Sequence, residues 1–208
     1  MTRRTLAVVS AGLGQPSSTR LLADQLAAAT RGELVRRGAD VEIRPVDLRE
    51  HARDVVNHLL TGFPSPALRE VLDTVAGADG LVAVTPIFNA SYNGLFKSFF
   101  DVVDSDALAD RPVLIGATGG TARHSLALEH AVRPMFAYLR ALVVPTAVFA
   151  APEDWAGEGA DAALRTRIRR AAGELAEQVD RRPAAAGPAD PFALTTSFED
   201  LLAGRDPA

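Results

Sequence analysis

The sequence predicts an α/β fold, with five parallel strands in one doubly wound sheet and helices packed on both faces. Three observations carry this expectation. Apolar, β-branched runs alternate with segments of helical period along most of the chain. Most of these runs are almost continuously apolar, as parallel strands covered on both faces must be. A helical segment stands between successive runs, so the strands are joined by right-handed βαβ crossovers.

The elements follow in order. Leu6–Ser10 is the first strand, and Ser18–Arg37 the first helix. That helix carries Leu21, Leu22, Leu26, Ala29 and Val35 near helical spacing, with Gly38 as its stop. Val41–Val46 alternates through Glu42 and Arg44, which places it at a sheet edge. Ser65–Ala76 then leads to the strand Leu81–Thr85. Ser91–Val103 follows, with an apolar stripe of Leu95, Phe99 and Val102 or Val103 suited to a core or a dimer interface. Val113–Ala117, the helix Ser125–Ala141, the strand Leu142–Phe149 and the helix Ala162–Val179 complete the pattern. From Arg181 onward the chain is rich in Pro, Ala and Gly. The expected division is therefore one domain over residues 1–182 and a tail over 183–208, in which the apolar residues of Phe192–Leu202 could dock on a partner subunit.

Composition sets outer limits. A chain of 208 residues, 48% hydrophobic and 23% charged, suffices for one globular core. A net charge of -4 argues against nucleic acid or an anionic membrane as the main partner. Cysteine is absent, which removes disulfides, thiolate catalysis and cysteine metal sites. Thr5–Ser10 is too short for a secretory apolar segment, and no apolar run is long enough to span a bilayer. The expected location is the cytoplasm.

Doubly wound sheets place ligands outside the carboxyl ends of their strands, so the loops after strands one, three and four matter most. The first is Ser10-Ala11-Gly12-Leu13-Gly14-Gln15-Pro16-Ser17-Ser18-Thr19-Arg20. Its hydroxyls and amides at a helix N-terminus suit a phosphate. It carries Ser17 where the dinucleotide fingerprint needs its third glycine, and no Gly-Lys-Ser/Thr follows. The same residues would also serve as a plain N-cap. The second loop is Thr85-Pro86-Ile87-Phe88-Asn89-Ala90-Ser91-Tyr92-Asn93-Gly94. Ile87 and Phe88 can cover a ring face, Asn89 can both donate and accept, and Ala90 and Ser91 leave room for a flat ligand. A simple turn with an Asn-stabilised N-cap is the alternative. The third loop is Ala117-Thr118-Gly119-Gly120-Thr121-Ala122-Arg123-His124, whose glycines either expose backbone amides or merely make a tight turn.

With these loops the chain resembles the NADPH-dependent FMN reductase family of flavodoxin-like proteins. Pro86–Tyr92 is similar to that family's Pro-x-Tyr-Asn-x-Ser-x loop, Ser10 with Ser17–Thr19 to its phosphate loop, and Thr118–Gly120 to its third flavin loop. The runs Ala122–Ser125 and Arg133–Leu139 resemble the branch that partners luciferase-like flavin monooxygenases. The resemblance implies a flavodoxin-like, three-layer sheet in the order 2-1-3-4-5. It implies that Ser10, Ser17, Ser18 and Thr19 hold the FMN phosphate, that Pro86, Ile87, Phe88, Asn89, Ala90 and Ser91 line the isoalloxazine, and that Thr118, Gly119 and Gly120 meet its pyrimidine edge. Phe88 stands where the family often has Tyr, which keeps the flat contact and loses a hydroxyl.

The implied activity is hydride transfer from NADH or NADPH to FMN, with reduced FMN passed to a flavin-dependent monooxygenase. The alternatives are an FMN-containing quinone or azo reductase and a non-catalytic electron-transfer flavodoxin. The implied assembly is a homodimer or tetramer. Amides at Gly119 and Gly120 would stabilise charge on the flavin, so no catalytic acid or base is expected. His124 and Arg123 adjoin the third loop and could touch a nucleotide, or could be ordinary helix-surface groups. Arg20 reads the same way beside the first loop. His51, His58 and His130 lack partners at metal-ligand spacing, so no metal is expected.

Overall fold

A computed structural model describes residues 2–155 and 160–183 of the chain. Most of the tail, including Phe192–Leu202, lies outside the described residues. Strand β1 (Thr2–Ser10) runs to helix α1 (Ser18–Arg36), β2 (Ala39–Asp47), α2 (Ala52–Thr61) and α3 (Pro66–Gly77). Next come β3 (Gly80–Phe88), the short β4 (Ser91–Tyr92), α4 (Gly94–Val102) and β5 (Pro112–Thr118). A π-helical turn over Leu128–Val132 leads into α5 (Arg133–Tyr138), followed by β6 (Leu142–Val143), β7 (Val148–Ala150) and α6 (Ala160–Arg181).

The sheet order is β2-β1-β3-β5-β6, with β7 also on β5 and β4 on β3. Every pairing is parallel except β3 with β4. The doubly wound α/β fold and the edge position of β2 are as the sequence predicts. Pro45 lies in that edge strand, where its missing N–H costs no central ladder bond.

Side-chain alternation along the strands builds two cores. Ala7, Val9, Leu81, Ala83, Val113 and Ile115 face one side, packed with Leu68, Val75, Phe96, Phe99, Phe100 and Phe136. The rings of Phe96 and Phe100 meet edge-on at 4.8 Å, and those of Phe100 and Phe136 at 4.9 Å. Leu6, Val8, Val82, Val84 and Leu114 face the other side, under Leu22 and Leu26 of α1 and Leu164, Leu175 and Val179 of α6.

The structure departs from the sequence expectations in four places. The fifth strand, expected over Leu142–Phe149, is two short strands on β5. Between them Pro145 has no N–H to donate. Arg133 takes the Val144 and Pro145 carbonyls at 3.0 Å each, and the Glu174 carboxylate takes the Thr146 N–H at 2.7 Å. The interruption is thus satisfied by side chains from two helices. Ser125–Ala141 is likewise not one helix. Pro134 cannot donate to the carbonyl four residues back and would crowd it, so the preceding turn widens to π spacing.

Helix α2 was not anticipated. Its Val55, Val56, Leu59 and Leu60 do have helical spacing, and Gly62 at φ 77 caps it through an N–H to the His58 carbonyl at 2.8 Å. Only Val55 of that set is buried. Finally, the helix expected from Ser91 begins at Gly94, because Asn89 (φ 49) and Ala90 (φ 67) make a left-handed two-residue turn that reverses β3 into β4.

Two glycines inside helices fill no packing need. A Cβ at Gly32 of α1 or Gly173 of α6 would meet nothing within 4 Å. Gly32→Ala and Gly173→Ala are each expected to raise stability by about 0.4–1 kcal/mol. Urea unfolding midpoints check this, and a lowered midpoint would show that either glycine has a role beyond its helix.

Candidate functional site

Strands β1, β3 and β5 are parallel neighbours in the middle of the sheet, so the loops leaving their carboxyl ends meet at that end of the strands. There they enclose a cleft of about 300 Å³, lined by Leu13, Gly14, Pro16, Ser17, Ser18, Thr19, Pro86, Ile87, Phe88, Thr118, Gly119, Gly120 and Pro152. Larger cavities exist on the flanks, such as a groove of about 750 Å³ between α1 and α6 beside Gln25, Ala28 and Ile168. Volume favours the grooves. Position at the strand ends and density of donors favour the smaller cleft.

Its first wall is the start of α1. Ser17 is the N-cap, accepting the Arg20 N–H on Oγ at 3.2 Å. The amides of the first helical turn have no intrahelical acceptor, and the turn carries no acidic residue. A 19-residue helix therefore points its positive end into the cleft with no carboxylate to oppose an anion. Gly12 lies tightly beneath this turn. A Cβ there would fall 3.1 Å from Ser17 Cβ, 3.2 Å from Thr19 Cβ and almost onto Ser17 Oγ.

The second wall is apolar: Pro86, buried Ile87 and half-exposed Phe88. The third comes from β5. Thr118 Oγ1 lies 2.8 Å from Thr19 Oγ1, a buried hydroxyl pair tying the first loop to the third across 99 residues. The Gly119 N–H donates to the Ala150 carbonyl at 3.2 Å. That amide is engaged within the sheet, which narrows the expectation of two ligand-facing glycine amides to Gly120. A Cβ at Gly119 would come 2.9 Å from Phe149 Cζ, whereas one at Gly120 would meet nothing.

The structure brings Ser17, Ser18, Thr19, Pro86, Ile87, Phe88, Thr118, Gly119 and Gly120 onto the cleft wall. The other expected residues stand off it. Ser10 is 1% exposed beneath the first loop, and its hydroxyl has no protein partner. Asn89 and Ala90 are exposed at the turn tip beside Phe88, with half-buried Ser91 following. Leu13, Gly14, Pro16 and Pro152 join the wall, although sequence reading did not single them out.

Sequence reading also missed Asn93, 3% exposed. Its Oδ1 accepts the Phe96 N–H at 2.8 Å and caps α4, while Nδ2 donates to the Ala11 carbonyl at 2.8 Å. The available signal was an Asn directly before a helix-initiating Gly. Among the neighbouring charges, Arg20 pairs with Asp24 at 2.8 Å. His124 is half-buried on a short turn after the third loop. Among the described residues no cluster of His, Asp and Glu could hold a metal, and no helix is long and apolar enough to cross a membrane.

The arrangement thus suits a ligand with an anionic group at one end and a flat, partly apolar body. Comparison with known proteins agrees in kind. Residues 4–156 match the family model described as NADPH-dependent FMN reductase. An NADH-dependent FMN reductase, SfnE, from Pseudomonas putida is 39% identical over 79% of this chain and 86% of its own length. An FMN reductase (NADPH) from Pseudomonas aeruginosa is 36% identical over the same shares. Among solved structures, an oxidoreductase from Corynebacterium diphtheriae superposes with a TM-score of 0.85 at 46% identity, covering 88% of this chain and all of that one. The NADH:FMN oxidoreductase EMOB, in its apo form, gives 0.73 at 26% identity, over 88% and 93% of the two chains.

Proposed function

The chain belongs to the NADPH-dependent FMN reductase family, and from that premise we propose that its cleft binds FMN with the phosphate on the first turn of α1 and the ring beside Phe88 and Gly120. The protein is an NAD(P)H:FMN oxidoreductase, and we propose that it supplies reduced FMN to a flavin-dependent monooxygenase. The observation that carries the reading is the acid-free start of α1, where Ser17, Ser18 and Thr19 gather at a helix N-terminus.

The residues fit the group. Backbone amides and hydroxyls of Ser17–Thr19 supply the donors a phosphate needs, and the orphaned Ser10 hydroxyl lies at the foot of the same loop. Ile87 and Phe88 offer an apolar face, and Gly120 lies on the cleft wall with open space where a Cβ would stand. When bound, FMN supplies the hydride-accepting chemistry. The chain's part is to hold the phosphate, set the ring plane against Ile87 and Phe88, and present the Gly120 amide to the ring edge as a fixed dipole. A cleft of about 300 Å³ is small for a nucleotide-sized ligand and leaves part of it exposed, which suits release to a second enzyme. The monooxygenase-branch resemblance of Ala122–Ser125 and Arg133–Leu139 supports the same reading.

FMN is expected to bind at least about tenfold more tightly than riboflavin, because each charge-assisted phosphate contact contributes roughly 1.5–3 kcal/mol. Fluorescence titration of both flavins tests the assignment, and equal affinities would remove it. NADH and NADPH oxidation, measured with and without added FMN, tests the activity.

A second copy of the chain is proposed to cover the apolar groove beside α4, of about 620 Å³, where Tyr92, Phe100, Met135 and the largely exposed Tyr138 lie. Sedimentation at micromolar concentration should then show a dimer or tetramer, and a monomer would contradict it.

No side chain is assigned as acid or base. His124→Ala is therefore expected to lower turnover only a few-fold, against the roughly 10²–10⁴-fold that a general acid or base contributes. Steady-state rates at saturating FMN across pH decide it. A loss beyond about 10²-fold, with a vanished limb near neutrality, would make His124 catalytic.

A further inference from the structure

We propose that Asn93 is a positioning residue for the phosphate end of the cleft, acting by fixing the Ala11–Gly12 peptide beneath the first turn of α1. The inference rests on the assignment of that turn to the FMN phosphate. Capping α4 asks only for an acceptor, and Ser, Thr or Asp would supply one. Asn93 uses Oδ1 for this, at 2.8 Å from the Phe96 N–H. The amide adds a donor, and the structure directs it across 82 residues to the Ala11 carbonyl at 2.8 Å. Its orientation is forced, since a flipped amide would set donor against donor at Phe96 and acceptor against acceptor at Ala11.

Ala11 is thereby held from both sides. Its N–H donates to the Val84 carbonyl of β3 at 3.0 Å, and its carbonyl accepts from Asn93. A trans peptide is planar, with its C=O and N–H on opposite sides. Anchoring the Ala11 carbonyl therefore turns the Gly12 N–H away from Asn93 and sets the plane on which the loop continues. Gly12 sits so close under Ser17 and Thr19 that a Cβ on it would fall 3.1 Å and 3.2 Å from their Cβ atoms, so a rotation of that peptide would press on those two residues. Asn93 is itself anchored, its backbone N–H donating to Thr85 Oγ1 at 3.3 Å. One buried amide thus couples the loop after β3 to the loop after β1.

The test separates capping from positioning. Asn93→Ser and Asn93→Asp both keep an acceptor for the Phe96 N–H and lose the donor to Ala11. FMN and riboflavin affinities are measured by fluorescence titration for wild type and both variants, with thermal melts alongside. In each variant FMN affinity should fall about tenfold, as expected for one buried hydrogen bond, while riboflavin affinity changes less than about twofold. The FMN preference should shrink accordingly, with the Ser variant still melting cooperatively, its midpoint lowered by no more than one unpaired buried carbonyl costs. An unchanged preference in the Ser variant would reduce Asn93 to a cap and overturn the inference. Equal losses for both flavins would overturn it too, since phosphate positioning predicts selectivity. A wild type without any FMN preference would instead remove the phosphate assignment, and this inference with it.

Discussion

Asp79→Ala is expected to lower the unfolding free energy by about 3–5 kcal/mol, a large share of what holds a domain of this size folded. Asp79 is 5% exposed and Arg4 4%. Asp79 Oδ1 accepts from Arg4 Nη1 at 3.2 Å, and Oδ2 accepts the Thr5 N–H at 2.7 Å. Arg4 also reaches the carbonyls of Asp180 at 3.3 Å and Arg182 at 2.6 Å, so the pair fastens the end of α6 to the start of the sheet. Nearby, Arg111 takes the Ala76 and Ala78 carbonyls at the end of α3. Burial, with Arg182 adding to it, holds the Arg111 guanidinium below the usual arginine range, and Asp79 pulls it back up. Removing the carboxylate leaves Arg4 buried without its counter-charge and weakens the compensation of Arg111. An Arg4→Met, Asp79→Leu double variant should recover part of the loss, because an apolar replacement of both partners leaves no uncompensated charge. Urea unfolding followed by circular dichroism reads both. A single-variant loss under about 1 kcal/mol would mean that water reaches the pair and screens it.

That pair was not legible in the sequence. Arg4 precedes the apolar run Leu6–Val9 and reads as a solvated strand end, and nothing local links it to Asp79. What local pattern did reveal was whatever repeats along the chain. Continuous apolar runs identified the parallel strands, and the alternation around Glu42 and Arg44 identified the edge strand. The candidate site was legible in the same partial way. Each strand end carried small polar residues, and the sheet order then brought three such ends together.

Features that depend on distant partners stayed hidden. Asn93 gives no sign in sequence that its donor is aimed at Ala11. The engagement of the Gly119 amide needs Ala150 in place. The split of the fifth strand needs Arg133 and Glu174 to satisfy what Pro145 interrupts. The helix start expected at Ser91 failed for another reason. Ala is an unfavourable residue at positive φ, costing roughly 1–2 kcal/mol, so nothing local announced the left-handed turn at Asn89 and Ala90 that draws Ser91 and Tyr92 into β4.

Gly12→Val is expected to weaken FMN binding by about 10²-fold or more, the equivalent of losing one or two charge-assisted phosphate contacts. The cause is packing beneath the first turn of α1, since Gly12 has no unusual backbone angle to preserve. A Cβ at this position falls almost on Ser17 Oγ and within 3.1–3.2 Å of the Cβ atoms of Ser17 and Thr19. Two further methyl groups cannot be placed without lifting the turn. Ser17 would then lose its hold on the Arg20 N–H, and Thr19 its contact with Thr118. The helix itself should survive, because Leu22, Leu26 and Leu34 remain buried against the sheet. The cost to stability should be near that of a lost N-cap, about 1–2 kcal/mol. Gly12→Ala should fall between wild type and Val. Gly120→Ala, whose Cβ enters open space, should leave stability unchanged. Flavin fluorescence titration with parallel urea unfolding separates loss of the site from loss of the fold. A folded Gly12→Val protein that binds FMN within about threefold of wild type would show that the phosphate does not depend on this turn.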